Sequence, residues 1–568
     1  MVSRVARTSI QEHWLFRELL AEKTALIKCF SLNFIIYSFQ IITSLFVMVV
    51  YNKVLPNDAL KSLISLVIGI AVVLVFDLLF KLLKSRIMNN SNDSIDSKLQ
   101  QSLFKKILSW DLQNRPKLSG ASSTLIRDLE SVIELFTNSS ITTLIGLPFV
   151  IINCFVIYLI AGPLVIVTIV IVFLALLTSL IFYALASNMS EQSKQASIDK
   201  NSVYLEALNN LETLKSVADY NFFISRFKKA DDENRFIGSS LKNILGDANS
   251  FNTLLSSISQ ICLVAIGATL VINGVIDAGA LIGSMILNGK TIQPVMQIAN
   301  LLQKYSVAKI SYKKLNQTFN FQSEEEKRAQ NISLTSLEGP LRIENLTFQP
   351  DGLPSPILTA KRIIIKKGER IGIVGSVGSG KSTLLKLVSG VLTPTTGTIC
   401  FGPFDNTAIN QTDLRKHLSY LGQSPGVFSG SIRENLTFGN ESYSDEDIIS
   451  AMKVTGFDII LKKFPNGLSF SLSENGSELS GGQKQILALT RAILSQPEYL
   501  VLDEPTSAMD PKHEKLFINQ MAKFLLEKTL LVVTHRKPIL ALTDRIIVVE
   551  NGSIILDGKR DEILNKFS

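Results

Sequence analysis

The chain has 568 residues and a formal charge of +8, but only 19% of its residues are charged, below the roughly 25% of an ordinary soluble domain. Long uncharged runs crowd the first half, while the last part reads as a soluble α/β domain. A wholly soluble protein, a disordered chain and a small secreted domain are all excluded. The positive charge does not point to nucleic acid, because the basic residues sit between apolar runs, where membrane topology accounts for them. Cys29, Cys154, Cys262 and Cys400 are far apart and form no CxxC pair, so neither a disulfide framework nor a cysteine metal site is expected.

In chain order, residues 1–26 are amphipathic and charged, with no apolar core before Ile27, which argues against a cleavable signal. Uncharged or nearly uncharged runs follow at 29–51, 63–80, 141–160, 163–183, 251–276 and, interrupted by Lys290, 278–303. Each is long enough for about 20 residues of helix across the hydrocarbon core, which predicts six spans. The long stretches 84–140 and 184–250 hold eight Lys or Arg each, while the short connections hold only Lys53. The positive-inside rule puts the long stretches and both termini in the cytoplasm. Leu205, Leu208, Leu211 and Leu214 predict an amphipathic helix over 202–220. Asp77 has two readings, an intramembrane acid or an interfacial charge one turn from Lys81. Lys290 faces a polar cavity or snorkels.

The polar stretch 317–338 is expected to be a linker. It separates a membrane domain at 27–316 from a soluble α/β domain at 339–568. Within the latter, RIGIV (370–374) predicts a strand that runs straight into GSVGSGKST and then a helical LLKLVSGVL. This strand, glycine-rich loop and helix are the order a phosphate cradle requires. The candidate cradle is Gly375, Ser376, Val377, Gly378, Ser379, Gly380, Lys381, Ser382 and Thr383. Glycines let amides converge on phosphate, the helix N-terminus adds positive potential, Lys381 supplies a cation and Ser382 a hydroxyl for Mg²⁺. YLVLDE (499–504) predicts a strand ending in two acids, Asp503 toward Mg²⁺ and Glu504 toward the attacking water. LSGGQKQ (479–485) starts a further helix, where Ser480, Gly481, Gly482 and Gln483 offer a second anion site. Two such sites serve one nucleotide only from opposite sides, which suggests that the second belongs to a partner subunit.

These residues together resemble the nucleotide-binding domain of ATP-binding-cassette exporters. Walker A is GSVGSGKS, Walker B is YLVLD and the signature is LSGGQ. The Q-loop glutamine matches Gln423 in YLGQSPGVFSG, the D-loop matches SAMD (507–510) and the switch histidine matches His535 in LVVTHR. The finer resemblance, through MVVYNKVLPNDA (48–59), SAMD and VTHRKPILALTDRIIVVENGSIILDGK (533–559), is to type I protein secretion ATPases. The resemblance implies a six-helix exporter membrane domain followed by an α/β P-loop NTPase domain. It implies ATP and Mg²⁺ as cofactors, with Ser382, Gln423 and Asp503 toward the metal, directly or through water. Glu504, His535 and Gln423 are the implied catalytic residues. It also implies a homodimer in a bacterial inner membrane, since Glu504 and the signature are both intact. A periplasmic adaptor, an outer-membrane channel and an exported protein are the implied partners. Segments 119–128 and 214–227 are candidate couplers of ATP hydrolysis to the membrane helices.

Two departures stand out. About 28 residues precede the first span, so an N-terminal peptidase-like domain and leader cleavage are not expected. Where family members carry F-x-Y-P, this chain reads Thr347, Phe348, Gln349 and Pro350, with Pro350 or Gln349 where the tyrosine falls, so that adenine stacking is weakened, lost or taken over by Phe348. His13, His417 and His513 are scattered and form no metal set. The residues leave open an exporter of lipid, peptide or small molecules without secretion partners, and an ATP-gated membrane protein with little hydrolysis. Intact Glu504 and His535 argue against the last.

Overall fold

The computed structural model describes residues 14–113, 124–136, 138–326, 332–350 and 352–567. The chain divides into two compact units, Met1–Leu108 with Pro116–Phe321, and Ser109–Arg115 with Gln322–Ser568.

The first unit is helical: α1 (Trp14–Ala21), α2 (Lys23–Val49), α3 (Leu60–Leu108), α4 (Leu125–Ile133), α5 (Asn138–Ala161), α6 (Val165–Asn209), α7 (Leu211–Ser216), α8 (Asn221–Ile272), α9 (Ala278–Met296) and α10 (Ile298–Asn320). Helices α3, α6 and α8 have 49, 45 and 52 residues. At 1.5 Å per residue the longest spans about 78 Å, against about 30 Å of hydrocarbon. The apolar runs therefore continue as helix through the polar stretches, as their composition suggests. Between α5 and α6 the reversal takes one 3₁₀ turn, Gly162–Leu164. Gly162 there has φ +52°, a left-handed conformation that costs glycine little.

Among the described residues four stretches are long and apolar enough to cross a membrane by length and composition: Lys23–Val54, Leu60–Leu108, Leu125–Asn209 and Asn221–Ile272. The third contains both α5 and α6. Helix α9, the expected sixth span, is less apolar because much of it is interior. Gly279, Ala280, Gly283, Ser284, Asn288 and Thr291 are buried on it. A Cβ on Gly283 would stand 3.1 Å from the Met48 side chain, and Gly279 N donates to Asn52 Oδ1 at 2.7 Å. Small residues let α9 approach α2 closely, as in other membrane helix interfaces.

Some expectations need correction. Residues 202–220 do not form one helix: α6 stops at Asn209, α7 is separate, and Leu208 and Leu211 are exposed. Helix α10 runs past 316 to Asn320, into the expected linker, with Leu315 and Thr318 buried. Asp77 pairs with Lys81 at 2.5 Å on α3, and Lys290 is exposed on α9. Of the candidate coupler 119–128, residues 119–123 lie outside the described residues, and the remainder is anchored. Asp128 is 2% exposed and pairs with Lys194 of α6 at 2.5 Å and Lys314 of α10 at 2.9 Å. Thr124 and Ser311 hydroxyls also donate to its carboxylate.

The second unit is built on a ten-stranded sheet in the order β5-β4-β1-β2-β12-β11-β3-β10-β9-β6. The strands are β1 (Leu341–Phe348), β2 (Leu358–Ile365), β3 (Arg370–Val374), β4 (Thr396–Phe401), β5 (Phe404–Asp405), β6 (Leu418–Leu421), β9 (Tyr499–Asp503), β10 (Thr529–Val533), β11 (Arg545–Glu550) and β12 (Ser553–Lys559). A small hairpin pairs β7 (Gly430–Ser431) with β8 (Ser471–Leu472). Helices α11 (Lys381–Val388), α12 (Gln411–His417), α13 (Ile432–Thr437), α14 (Asp445–Thr455), α15 (Phe457–Leu461), α16 (Gly481–Leu494), α17 (Pro511–Phe524), α18 (Lys537–Leu540) and α19 (Arg560–Phe567) complete it. Strands β11, β3, β10, β9 and β6 are parallel. Every residue of β9 and β10 is buried, as expected of parallel strands covered on both faces. Leu500, Leu502, Leu530 and Val532 enter one apolar core, while Tyr499, Val501, Leu531 and Val533 enter another. This alternation locks the register, since a one-residue slip would exchange the two faces. The unit also takes in Gln113, whose Oε1 accepts from the Thr393 hydroxyl at 2.7 Å.

The Asp128 cluster predicts a stability effect. Asp128→Ala leaves two ammonium groups beside each other and is expected to cost about 3–5 kcal/mol. Arg235→Ala, which removes the exposed pair with Asp231, is expected to cost under about 1 kcal/mol. Thermal unfolding of the detergent-solubilised variants measures both, and equal melting points would contradict the assignment.

Candidate nucleotide site

The site is assembled by strand register. Ile373 of β3 lies beside Val533 of β10, which lies beside Asp503 of β9. Their C-terminal ends therefore open on one edge, where α/β sheets bind ligands. The glycine-rich loop leaves β3 there, the Asp503–Glu504 pair leaves β9, and the His535 loop leaves β10.

The loop is shaped by backbone constraints. Gly375 has φ +155° and a Cβ there would stand 1.9 Å from Val549 O, while Gly380 has φ +97° and faces Ile357 O. Lys381 is 6% exposed, and its Nζ donates to Gly375 O at 2.9 Å and Ser376 O at 2.7 Å. The ammonium thus lies within the curl of the loop. Burial pushes its pKa below the usual lysine range, and the charges of Glu504 and Asp503 act the other way. Ser376, Val377 and Gly378 are exposed, with Val377 at 93%. Ser379 is buried, and among the described residues its Oγ has no hydrogen-bond partner. Ser382 and Thr383 are half-buried in the first turn of α11. A buried cation, an unpartnered hydroxyl and an open amide loop fit a polyphosphate.

Asp503 is 2% exposed at the end of β9. A buried carboxylate beside a phosphate cradle and the Ser382 hydroxyl is an oxygen donor set that suits Mg²⁺. Tyr420 of β6 lies near it, its hydroxyl pushed up to about 12 by burial first and the Asp503 charge second. Glu504 adopts φ +48°. For a side chain with a Cβ this costs roughly 1–2 kcal/mol and persists only where the surroundings impose it. Glu504 N donates to Val533 O at 2.9 Å, and His535 Nε2 lies 3.7 Å from Glu504 Oε1. The structure thus brings Lys381, Asp503, Glu504 and His535 to one edge.

Other candidates stand apart. Gln423 is exposed in the loop after β6. Ser480 caps α16 in a reciprocal box, with Ser480 N donating to Gln483 Oε1 and Gln483 N to Ser480 Oγ. Ser480 and Gly481 are exposed, and among the described residues no hydrogen bond joins 480–483 to the loop at 375–383. A Cβ on Gly482 would meet Ala508 O at 2.4 Å, so only glycine lets α16 approach the 507–510 loop. Phe348 is a correction: it is 4% exposed at the end of β1, within the apolar core. It presents no face for an adenine ring, because the pleat turns it inward.

Two residues escaped the sequence reading. Gln485 of α16 is 3% exposed. Its Nε2 donates to Glu504 O at 2.7 Å and Ser507 Oγ at 3.1 Å, and its Oε1 accepts from Ala508 N at 3.0 Å. Arg536 donates to Ser507 O at 2.8 Å, Met509 O at 3.1 Å and the Glu514 carboxylate at 3.3 Å. The available signal for Gln485 was one amide side chain on the apolar face of an otherwise regular helix.

Two family models match: ABC transporter transmembrane region over residues 26–295, and ABC transporter over 359–507. The chain belongs to the ABC transporter family. It binds ATP and is an ATP-hydrolysing transporter of the membrane. It is 30% identical to the lactococcin-A transport/processing ATP-binding protein LcnC of Lactococcus lactis subsp. lactis, over 96% of this chain and 76% of that protein. It is 28% identical to the leukotoxin translocation ATP-binding protein LktB of Mannheimia glucosida, over 97% of this chain and 78% of that one. In fold it matches a bacterial Atm1-family ABC exporter solved with ATP bound, with a TM-score of 0.80 and 20% identity over 98% of this chain and 97% of that chain.

The burial of Phe348 predicts that Phe348→Ala lowers stability by about 3–5 kcal/mol and leaves the ratio of ATP to GTP affinity unchanged. Competition binding with a fluorescent nucleotide at a temperature where the variant stays folded measures this ratio. A selective loss of ATP affinity would restore the stacking role.

Proposed function

We propose that this protein is the ATPase of a type I secretion system, exporting a polypeptide across a bacterial inner membrane. The observation that carries the reading is the near full-length similarity to two proteins named for moving leukotoxin and lactococcin. The topology expected from the charge distribution, with both termini cytoplasmic, agrees with it. A periplasmic adaptor and an outer-membrane channel are the partners that such export requires.

In the proposed cycle two copies of the chain enclose two ATP molecules. The amides of 375–383 and the Lys381 ammonium hold the phosphates of one nucleotide. Ser480, Gly481, Gly482 and Gln483 of the other copy approach the same nucleotide, which accounts for their exposure in the single chain. Ser382, Asp503 and Gln423 would hold Mg²⁺, which supplies neutralisation of phosphate charge. Glu504 accepts a hydrogen bond from the attacking water and orients it in line. His535, beside Glu504, donates toward the γ-phosphate. The contribution of these groups is positioning and charge stabilisation rather than covalent chemistry. The exposed apolar side chains of the 214–227 segment, Val217, Tyr220, Phe222 and Ile224, suit a docking surface through which closure moves the membrane helices.

The test compares the culture medium of cells carrying wild type with that of cells carrying Glu504→Gln. The purified variant is expected to lose at least about 100-fold in ATPase rate, the scale of removing one positioned proton-transfer group, and one polypeptide is expected to vanish from the medium. An unchanged medium with an active wild-type ATPase would overturn protein export in favour of lipid, peptide or small-molecule export. Equal ATPase rates would overturn the role of Glu504.

A further inference from the structure

We infer that Gln485 is a positioning residue for hydrolysis, acting through the backbone of Glu504; the inference rests on the proposed role of Glu504. The left-handed conformation of Glu504 aims its carboxylate, and hydrogen bonds on both its N–H and its C=O bracket that residue. Its N–H is fixed by Val533 of β10. Its C=O accepts from Gln485 Nε2 at 2.7 Å and, more weakly, from Ser507 N at 3.2 Å, so Gln485 supplies the shorter bond and the only side-chain one among the described residues. The same amide spans to the 507–510 loop, with Ser507 Oγ at 3.1 Å and Ala508 N at 3.0 Å. Both ends of the Gln485 side chain are therefore used, in a site where the residue is 3% exposed. A buried amide so satisfied cannot drop one partner without leaving a polar group unpaired.

The location gives this strut its consequence. Gln485 stands one helical turn after Gly481 on α16, the helix whose N-terminus is proposed to meet the nucleotide held by the other copy. Gly482 approaches Ala508 closely at the start of the same helix. A displacement of α16 on closure is thereby passed through one rigid side chain to the C=O of Glu504 and to the 507–510 loop. Arg536, next to His535, grips the far side of that loop through Ser507 O and Met509 O. Glu504 and His535 are thus tied to the position of the signature helix, so hydrolysis at one nucleotide depends on occupation of the other signature. Small misplacements of a reacting group cost rate far more than binding.

The experiment uses the full-length protein in liposomes with Gln485→Leu and Gln485→Glu. Leucine removes all three hydrogen bonds at similar volume. Glutamate keeps the acceptor for Ala508 N–H and the packing, but removes the donor to Glu504 O. Steady-state kcat and KM, equilibrium binding of a fluorescent ATP analogue and the melting temperature are measured beside wild type and Glu504→Gln. Both variants are expected to lose at least about tenfold in kcat, with nucleotide Kd within twofold of wild type at a temperature where each variant stays folded. A kcat within twofold of wild type in either folded variant, with Glu504→Gln inactive, would overturn the positioning role alone. A parallel loss of kcat, affinity and melting temperature in both variants would overturn it as a merely structural contact. An active Glu504→Gln would overturn the proposed role of Glu504 itself, and the inference with it.

Discussion

The hydrogen-bonded register of β3, β10 and β9 is the constraint on which the nucleotide site depends. Three segments far apart in sequence carry the phosphate loop, the acid pair and the switch histidine. Nothing local brings them together. The two apolar cores do so, because alternate residues of β9 and β10 belong to opposite faces. Shifting either strand by one residue would bury the wrong set and carry Glu504 or His535 away from Lys381. Burial of the strands and catalytic geometry are therefore one requirement, not two.

The membrane unit shows a parallel economy. Helices that meet lipid need only be apolar and long, so α3, α5, α6 and α8 do so with large exposed side chains. Helix α9 packs inside, where close approach matters more than hydropathy, and it carries glycine, alanine, serine and asparagine. Where the helices leave the membrane, charge takes over as the organising interaction. Asp128 gathers lysines from α6 and α10 around α4, fixing the segment that leads into α5.

Much of the site was legible in the sequence because its chemistry is local. The loop from Gly375 to Thr383 follows a strand and opens a helix, and the glycines stand where a Cβ would strike Val549 or Ile357. Asp503 and Glu504 end an apolar strand. Phe348 was misjudged because its place in a motif was considered without the pleat, which turns it into the core. The 202–220 leucines were misjudged because a repeat of three residues does not reveal the break at Asn210. Helix α9 was the weakest span because small and polar residues stand on its packed face, among them Gly279, Gly283, Ser284, Asn288 and Thr291. Gln485 was within the quoted motif, but its partners are contributed by another strand and loop. No periodicity encodes them.

The most direct measurement is the native mass of the Glu504→Gln protein in detergent with Mg²⁺ and ATP. Because the signature residues stand exposed on a single chain, stable occupancy should require a second copy. The expected species is a dimer holding two ATP molecules. A monomer that holds ATP with the affinity of the assembled protein would contradict a site shared between two chains.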